Sequence, residues 1–172
     1  MANDVRSAAR QALLMALVAT ATLVLRLPTP ATEGYINLGD VVIVAAALLF
    51  GPWAGAVAGG VGSALADLLG GYAHWVPFTL FIKGLEGMLI GFLYRGDLAN
   101  LRAYLRAVLA AIAGVACMFL GYFAVEWTLY GPGPALASAV GNLVQASSGV
   151  LLGVPLAIAL WRSGLGRLGK SA

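Results

Sequence analysis

The chain has 172 residues, of which 61% are apolar and only 10% charged, with ten Lys or Arg, seven Asp or Glu and a net charge of +3. About 105 apolar residues are more than one water-soluble core of this length buries, and a mean hydropathy of +0.92 makes lipid the solvent, so a pI of 9.3 does not signify nucleic-acid binding. A single cysteine, Cys117, excludes a disulfide framework and a cysteine-based metal cluster.

Apolar segments fall at about 8–27, 38–51, 53–70, 77–94, 104–129 and 136–161. A membrane-crossing helix needs about 20 largely apolar residues, so there is material for five or six spans. The first segment follows Arg6 and Arg10 as in a signal peptide, but it lacks a clear cleavage site and reads as a retained span. Pro28, Pro30 and Gly34 end it; Gly51 and Pro52 separate the second from the third; Gly70, Gly71 and Pro77 bracket a short aromatic loop; Gly131 to Pro134 form the last turn.

The stretch 38–70 is too long for one span and short for two, and charge decides it. With two helices there, the side holding the N-terminus collects Arg6, Arg10, Arg95, Arg102, Arg106, Arg162, Arg167 and Lys170. Positive charge concentrates on the cytoplasmic side of membrane proteins. The expectation is an all-α integral membrane protein, one membrane domain over 1–172. It is a compact bundle of six transmembrane helices with both termini cytoplasmic. The outer loops are then 28–37, 71–76 and 130–135.

Small residues recur at helical spacing at Gly55, Gly59 and Ser63, at Gly87 and Gly91, and at Gly149 and Gly153. In lipid such rows mark close helix approach. Ala8, Ala12 and Ala16 form a similar strip at the cytoplasmic end of the first helix, either an internal contact or a docking face for another membrane protein.

Asp40, Asp67, Lys83, Glu86 and Glu126 lie in or at the edge of apolar segments. Each charge there costs at least about 2.5 kcal/mol, so a partner or a wet cavity is expected. Lys83 and Glu86 share a helix face about 9 and 13 Å below the outer surface, as an internal ion pair or as part of a ligand pocket. Asn37 and Asp40 have the spacing of a helix cap or serve as ligand contacts. Asp67, at the outer end of the third helix, is placed to neutralise Lys83. Tyr122, Glu126 and Trp127 lie near the outer end of the fifth helix, and Ser138, Asn142, Gln145 and Gly149 make one polar face of the sixth. With Tyr72, His74 and Trp75 of the second outer loop, these faces converge on the outer half of the bundle. The aromatic residues are interfacial anchors or ligand stackers. Aromatic walls with a few fixed polar groups suit a planar, uncharged or weakly charged heterocycle.

The string Ile36-Asn37-Leu38-Gly39-Asp40, then Leu49-Phe50-Gly51-Pro52 with Gly55, Gly59, Gly60 and Gly62, then Ala66-Asp67-Leu68-Leu69-Gly70-Gly71-Tyr72, then Lys83-Gly84-Leu85-Glu86-Gly87, resembles the substrate-binding (S) components of energy-coupling factor (ECF) vitamin transporters. The likeness is to the broad riboflavin, pyridoxine and hydroxymethylpyrimidine group and covers about residues 35–92. The resemblance implies a six-helix bundle in the inner membrane of a prokaryote, with a vitamin bound in its outer half. The loop 28–37 would be the lid, and Ala8, Ala12 and Ala16 would dock on a transmembrane coupling subunit. ATP would be used by two ATPase subunits, so this chain needs no cofactor and no metal of its own. The few aromatics and the amide face of Asn142 and Gln145 favour a pyridoxine-like or hydroxymethylpyrimidine-like alcohol over riboflavin.

Three function classes compete. A binding subunit explains why no Gly-rich phosphate loop is present. An autonomous ion-coupled carrier or channel could use Lys83 and Glu86 as a proton relay, yet inverted repeats with broken helices are not evident. An intramembrane serine enzyme would need a base for Ser63 or Ser147, and the only histidine, His74, falls in an outer loop. The binding subunit is the reading the sequence favours.

Overall fold

The computed structural model describes residues 2–164. Arg167 and Lys170, counted above on the cytoplasmic side, lie outside these residues. In chain order the elements are α1 (Ala2–Val24), β1 (Arg26–Thr29), β2 (Gly34–Asn37), α2 (Gly39–Phe50), α3 (Pro52–Gly70), α4 (Val76–Leu93), α5 (Leu101–Tyr130) and α6 (Pro132–Ser148). A π-helical turn, Gly149–Gly153, then leads into α7 (Val154–Arg162). The boundaries follow turn chemistry: Gly51 and Gly131, at φ 87° and 83°, precede Pro52 and Pro132 in the first turns of α3 and α6.

Five helical stretches are long and apolar enough to cross a membrane: Asp4–Val24, Pro52–Gly70, Val76–Leu93, Leu101–Tyr130 and Pro132–Arg162. The last joins α6 to α7 through the π turn. Helix α2 is a shorter apolar helix of 12 residues, about 18 Å against a hydrocarbon thickness of about 30 Å. It touches every other helix of the fold, and Ile43 to Leu48 are all buried. The ambiguous stretch 38–70 is therefore a short central helix followed by a full-length one.

The expected first outer loop is an ordered antiparallel hairpin, with Arg26 opposite Asn37 and Thr29 opposite Gly34. Successive residues of a strand face opposite sides, which lets Tyr35 and Asn37 point down into the bundle from one strand.

The glycine rows have the packing role expected of them. A Cβ on Gly59 would stand 2.5 Å from the Lys83 carbonyl oxygen, and one on Gly55 2.5 Å from that of Gly87, so α3 and α4 touch backbone to backbone. Gly149 and Gly153 seat against Asp40 and Val44 of α2. Arg10 lies over the Phe50 ring at one end of the bundle, and Trp75 stacks on Tyr130 at the other, beside the hairpin. Ala8, Ala12 and Ala16 are exposed along α1, so no internal neighbour covers the strip.

Candidate functional site

Between the hairpin and the helices lies a small cavity with about 40 Å³ of free volume, room for a few waters. Its hairpin side is Thr29, Gly34, Tyr35 and Asn37; α1 and α3 supply Thr22, Ser63 and Asp67; Trp75 precedes α4, which supplies Thr79 and Lys83; α5 and α6 supply Tyr122, Glu126, Ser138, Asn142 and Gln145.

Each wall is held by specific bonds. Glu126 Oε1 accepts from Ser138 Oγ at 2.6 Å, and Asn142 Nδ2 donates to both Glu126 oxygens at 3.3 and 3.1 Å. The expected polar face of α6 thus folds onto the carboxylate of α5. Gln145 Oε1 accepts from the backbone and side-chain nitrogens of Asn37, at 2.9 and 3.0 Å. Asn37 Oδ1 accepts from the Gly39 N–H at 2.8 Å, so Asn37 holds the start of α2 while Leu38 occupies the cap position without a side-chain bond. Tyr122 donates to Thr79 at 3.0 Å.

The hairpin is tied down on several sides. Tyr35 donates to Asp67 Oδ1 at 2.5 Å, Trp75 Nε1 donates to the Glu33 carbonyl at 3.2 Å, and Arg26 donates to the Gly70 carbonyl at 3.2 Å. Thr32 donates to Ser138 at 3.4 Å. Burial, and next the Asp67 carboxylate, push the Tyr35 phenol well above its ordinary range, which keeps it a donor.

Below the cavity Lys83 is paired with Asp40 and, at 3.2 Å, with Glu86; all three side chains are buried. The partner that neutralises Lys83 from a distant helix is Asp40 and not Asp67. The reason is geometric: α2 starts low in the bundle beneath the hairpin, which brings its first turn level with Lys83.

Of the residues singled out in the sequence, Asn37, Asp67, Trp75, Lys83, Tyr122, Glu126, Asn142 and Gln145 meet in this cavity. Asp40 and Glu86 lie beneath it, behind Lys83. Tyr72 and His74 line a separate shallow cleft with Pro28, Pro30 and Glu33 on the outer side of the hairpin, and Trp127 is 48% exposed. Trp127 sits one residue from Glu126, so the helical turn of about 100° carries it to the bundle surface. Thr22, Thr29, Gly34, Tyr35, Ser63 and Thr79 line the cavity without having been proposed as ligand contacts, and Ser138 joins them from the polar face of α6. Hydroxyl residues in apolar helices carry little signal of their own, and Tyr35 needed the strand alternation of the hairpin.

Known proteins can now be set beside this geometry. A family model described as the S component of an ECF-type riboflavin transporter matches residues 2–162. The chain is similar to a thiamine precursor transporter, HmpT, of Lactococcus lactis subsp. cremoris, with 34% identity over 80% of this chain and 77% of the relative. It is also 46% identical, over 79% of this chain and 88% of the relative, to a Pyrococcus woesei protein described as an uncharacterized protein in the gap 3′ region. These likenesses make the chain a multi-pass membrane transport protein and not an enzyme. Its match along nearly the whole sequence, on a helical bundle with a hairpin-capped polar cavity, shows that it belongs to the S components of ECF-type vitamin transporters, the riboflavin family.

Proposed function

We propose that this protein captures a small heteroaromatic vitamin or vitamin precursor in the cavity under the hairpin, at the outer face of the cytoplasmic membrane. It then delivers that ligand to an ATP-driven ECF module. The observation that carries the reading is the cavity itself, whose eight polar or aromatic side chains foreseen in the sequence converge from α3, α4, α5, α6 and the lid. Polar groups converging inside an apolar bundle suit a ligand that is bound whole, with Trp75, Tyr35 and Tyr122 as the apolar walls.

In this reading six helical passes bring both termini to the cytoplasm, because Arg6, Arg10, Arg95, Arg102, Arg106 and Arg162 lie at the end opposite the hairpin while Arg26 lies beside it. The exposed alanine strip of α1 docks on the transmembrane coupling subunit. Chemical energy enters through the ATPase subunits, and this chain carries no cofactor. The relative's printed role as a thiamine precursor transporter supports a small pyrimidine-like or pyridoxine-like ligand over riboflavin.

Mass spectrometry of small molecules that copurify with the detergent-solubilised protein, followed by calorimetry against a vitamin panel, tests the proposal. One tightly bound heterocycle per chain is expected. Tight binding of riboflavin alone removes the preference for a small ring, and transport by the protein reconstituted alone, without ATP or partners, overturns the subunit reading.

A further inference from the structure

We infer that one wall of the cavity, where α1 meets α3, is a donor-accepting subsite. There Asp67 Oδ2, one helical turn from Ser63 and lining the same cavity as Thr22, takes the N–H hydrogens of an exocyclic amine carried by the ring. This rests on the cavity being the ligand pocket proposed above, and it names the chemistry of what enters.

The two walls differ in what they leave open. Across the cavity the acceptors are occupied: both oxygens of Glu126 receive hydrogens from Asn142 or Ser138, and Gln145 Oε1 receives two from Asn37. On the near wall Thr22, Ser63 and Asp67 are 1%, 3% and 3% exposed, and the Thr22 hydroxyl, the Ser63 hydroxyl and Asp67 Oδ2 are buried without a hydrogen-bond partner. All three residues line the cavity. Buried polar atoms are normally satisfied, so three such atoms lining one cavity indicate what a ligand supplies.

The sign of the subsite follows from Asp67. Its Oδ1 already accepts from Tyr35, and a carboxylate has only acceptors, so Oδ2 asks for a donor. The hydroxyls beside it either donate or accept and adapt to it. Thr79 also lies near Asp67 and accepts from Tyr122, which leaves its own hydrogen for the carboxylate, so a ligand N–H would add to that donor.

Charge reinforces the choice. Asp67 and Glu126 line the cavity and Asp40 and Glu86 lie beneath it, against the single ammonium of Lys83, which is committed to Asp40 and Glu86. At the rim Arg26 is spent on the Gly70 carbonyl and lies over the Tyr35 ring. Among the described lining residues no uncommitted cation is left for an entering phosphate or carboxylate, whose unpaired burial is costly, whereas an amine finds acceptors. The subsite therefore selects amine-bearing heterocycles and rejects their phosphorylated or oxo counterparts.

Calorimetry on the purified full-length protein tests this with matched rings: hydroxymethylpyrimidine bearing its exocyclic amine against its oxo counterpart, pyridoxamine against pyridoxine and pyridoxal phosphate, and riboflavin alongside. The amine of each pair is expected to bind about 10-fold or more tightly than its partner. Asp67→Asn should erase that preference, and Ser63→Ala, a smaller change that leaves the Tyr35 bond in place, should reduce it. If no heterocycle binds the wild type, the pocket reading falls and the subsite with it. If a ring binds tightly but amine and oxo partners bind equally, if the phosphate binds best, or if folded Asp67→Asn and Ser63→Ala both keep the preference, the subsite alone is overturned.

Discussion

Tyr35 of the hairpin donates to Asp67 near the end of α3 at 2.5 Å, and this bond joins the hairpin to the cavity wall at a point that both residues line. A hydrogen bond to a charged acceptor contributes about 1.5–3 kcal/mol. Tyr35→Phe keeps the ring against Tyr72 and removes only that bond. The expected result is ligand dissociation about 10-fold faster in a protein that still folds but melts at a lower temperature. Stopped-flow fluorescence of Trp75, 4% exposed and facing the cavity, reads the rate directly.

Glu126 and Asn142 hold one another, and removing either leaves the other buried with unmet hydrogen bonds. Alanine at each position should weaken ligand binding by roughly 5-fold to 150-fold while the protein still folds. Glu126→Gln, which keeps an acceptor for Ser138, should lose less than Glu126→Ala. Equal affinity in all the folded variants, measured by calorimetry, would remove the α5–α6 wall from the pocket.

Lys83 is the sole cation between two buried carboxylates, and its loss should be felt as instability first. Breaking such a pair costs about 3–5 kcal/mol because the remaining charge is left uncompensated. Lys83→Met should therefore lower the unfolding midpoint in detergent strongly. Neutralising the partners as well, as Lys83→Met with Asp40→Asn and Glu86→Gln, should recover most of the loss, and a triple variant no more stable than the single would refute the account.

The strip Ala8, Ala12 and Ala16 is exposed at the end of α1 farthest from the cavity. Ala12→Trp or Ala16→Trp should abolish uptake in cells while the purified variant binds its ligand with wild-type affinity. The comparison is made on variants shown to reach the membrane in normal amounts. Unimpaired uptake would show that the strip faces lipid only.

What the sequence revealed depended on the physics of each element. The full-length apolar helices were legible because length and hydropathy alone define a span, and the glycine rows announced the α3–α4 contact because small residues have one main use between helices in lipid. Eight cavity residues were legible because a polar group in hydrocarbon needs a reason. The hairpin was not, since Arg26–Asn37 has Pro28, Pro30 and Gly34 and reads as a loop until the pairing of its two strands is seen. Nor was the Asp40–Lys83 pair, 43 positions apart, whose register depends on where the short α2 begins. Thr22 and Thr79 were passed over, and Ser63 was read only as a packing residue or an enzyme nucleophile, because a hydroxyl in a helix satisfies itself on its own backbone in most settings.

Backbone contact along α3 and α4 makes these two helices one rigid plank, since sliding either past the other would drive glycine Cα atoms into carbonyl oxygens. Asp67, Thr79 and Lys83 are therefore fixed relative to one another, a template that does not adapt to its guest. Adaptation is left to the hairpin, whose ties to the helices include several single hydrogen bonds that water can replace one at a time. In the proposed reading, selectivity rests on the stiff half and the rate of exchange with the medium on the loose one. Substitutions in the plank should change which ligand is held, and substitutions in the hairpin how long.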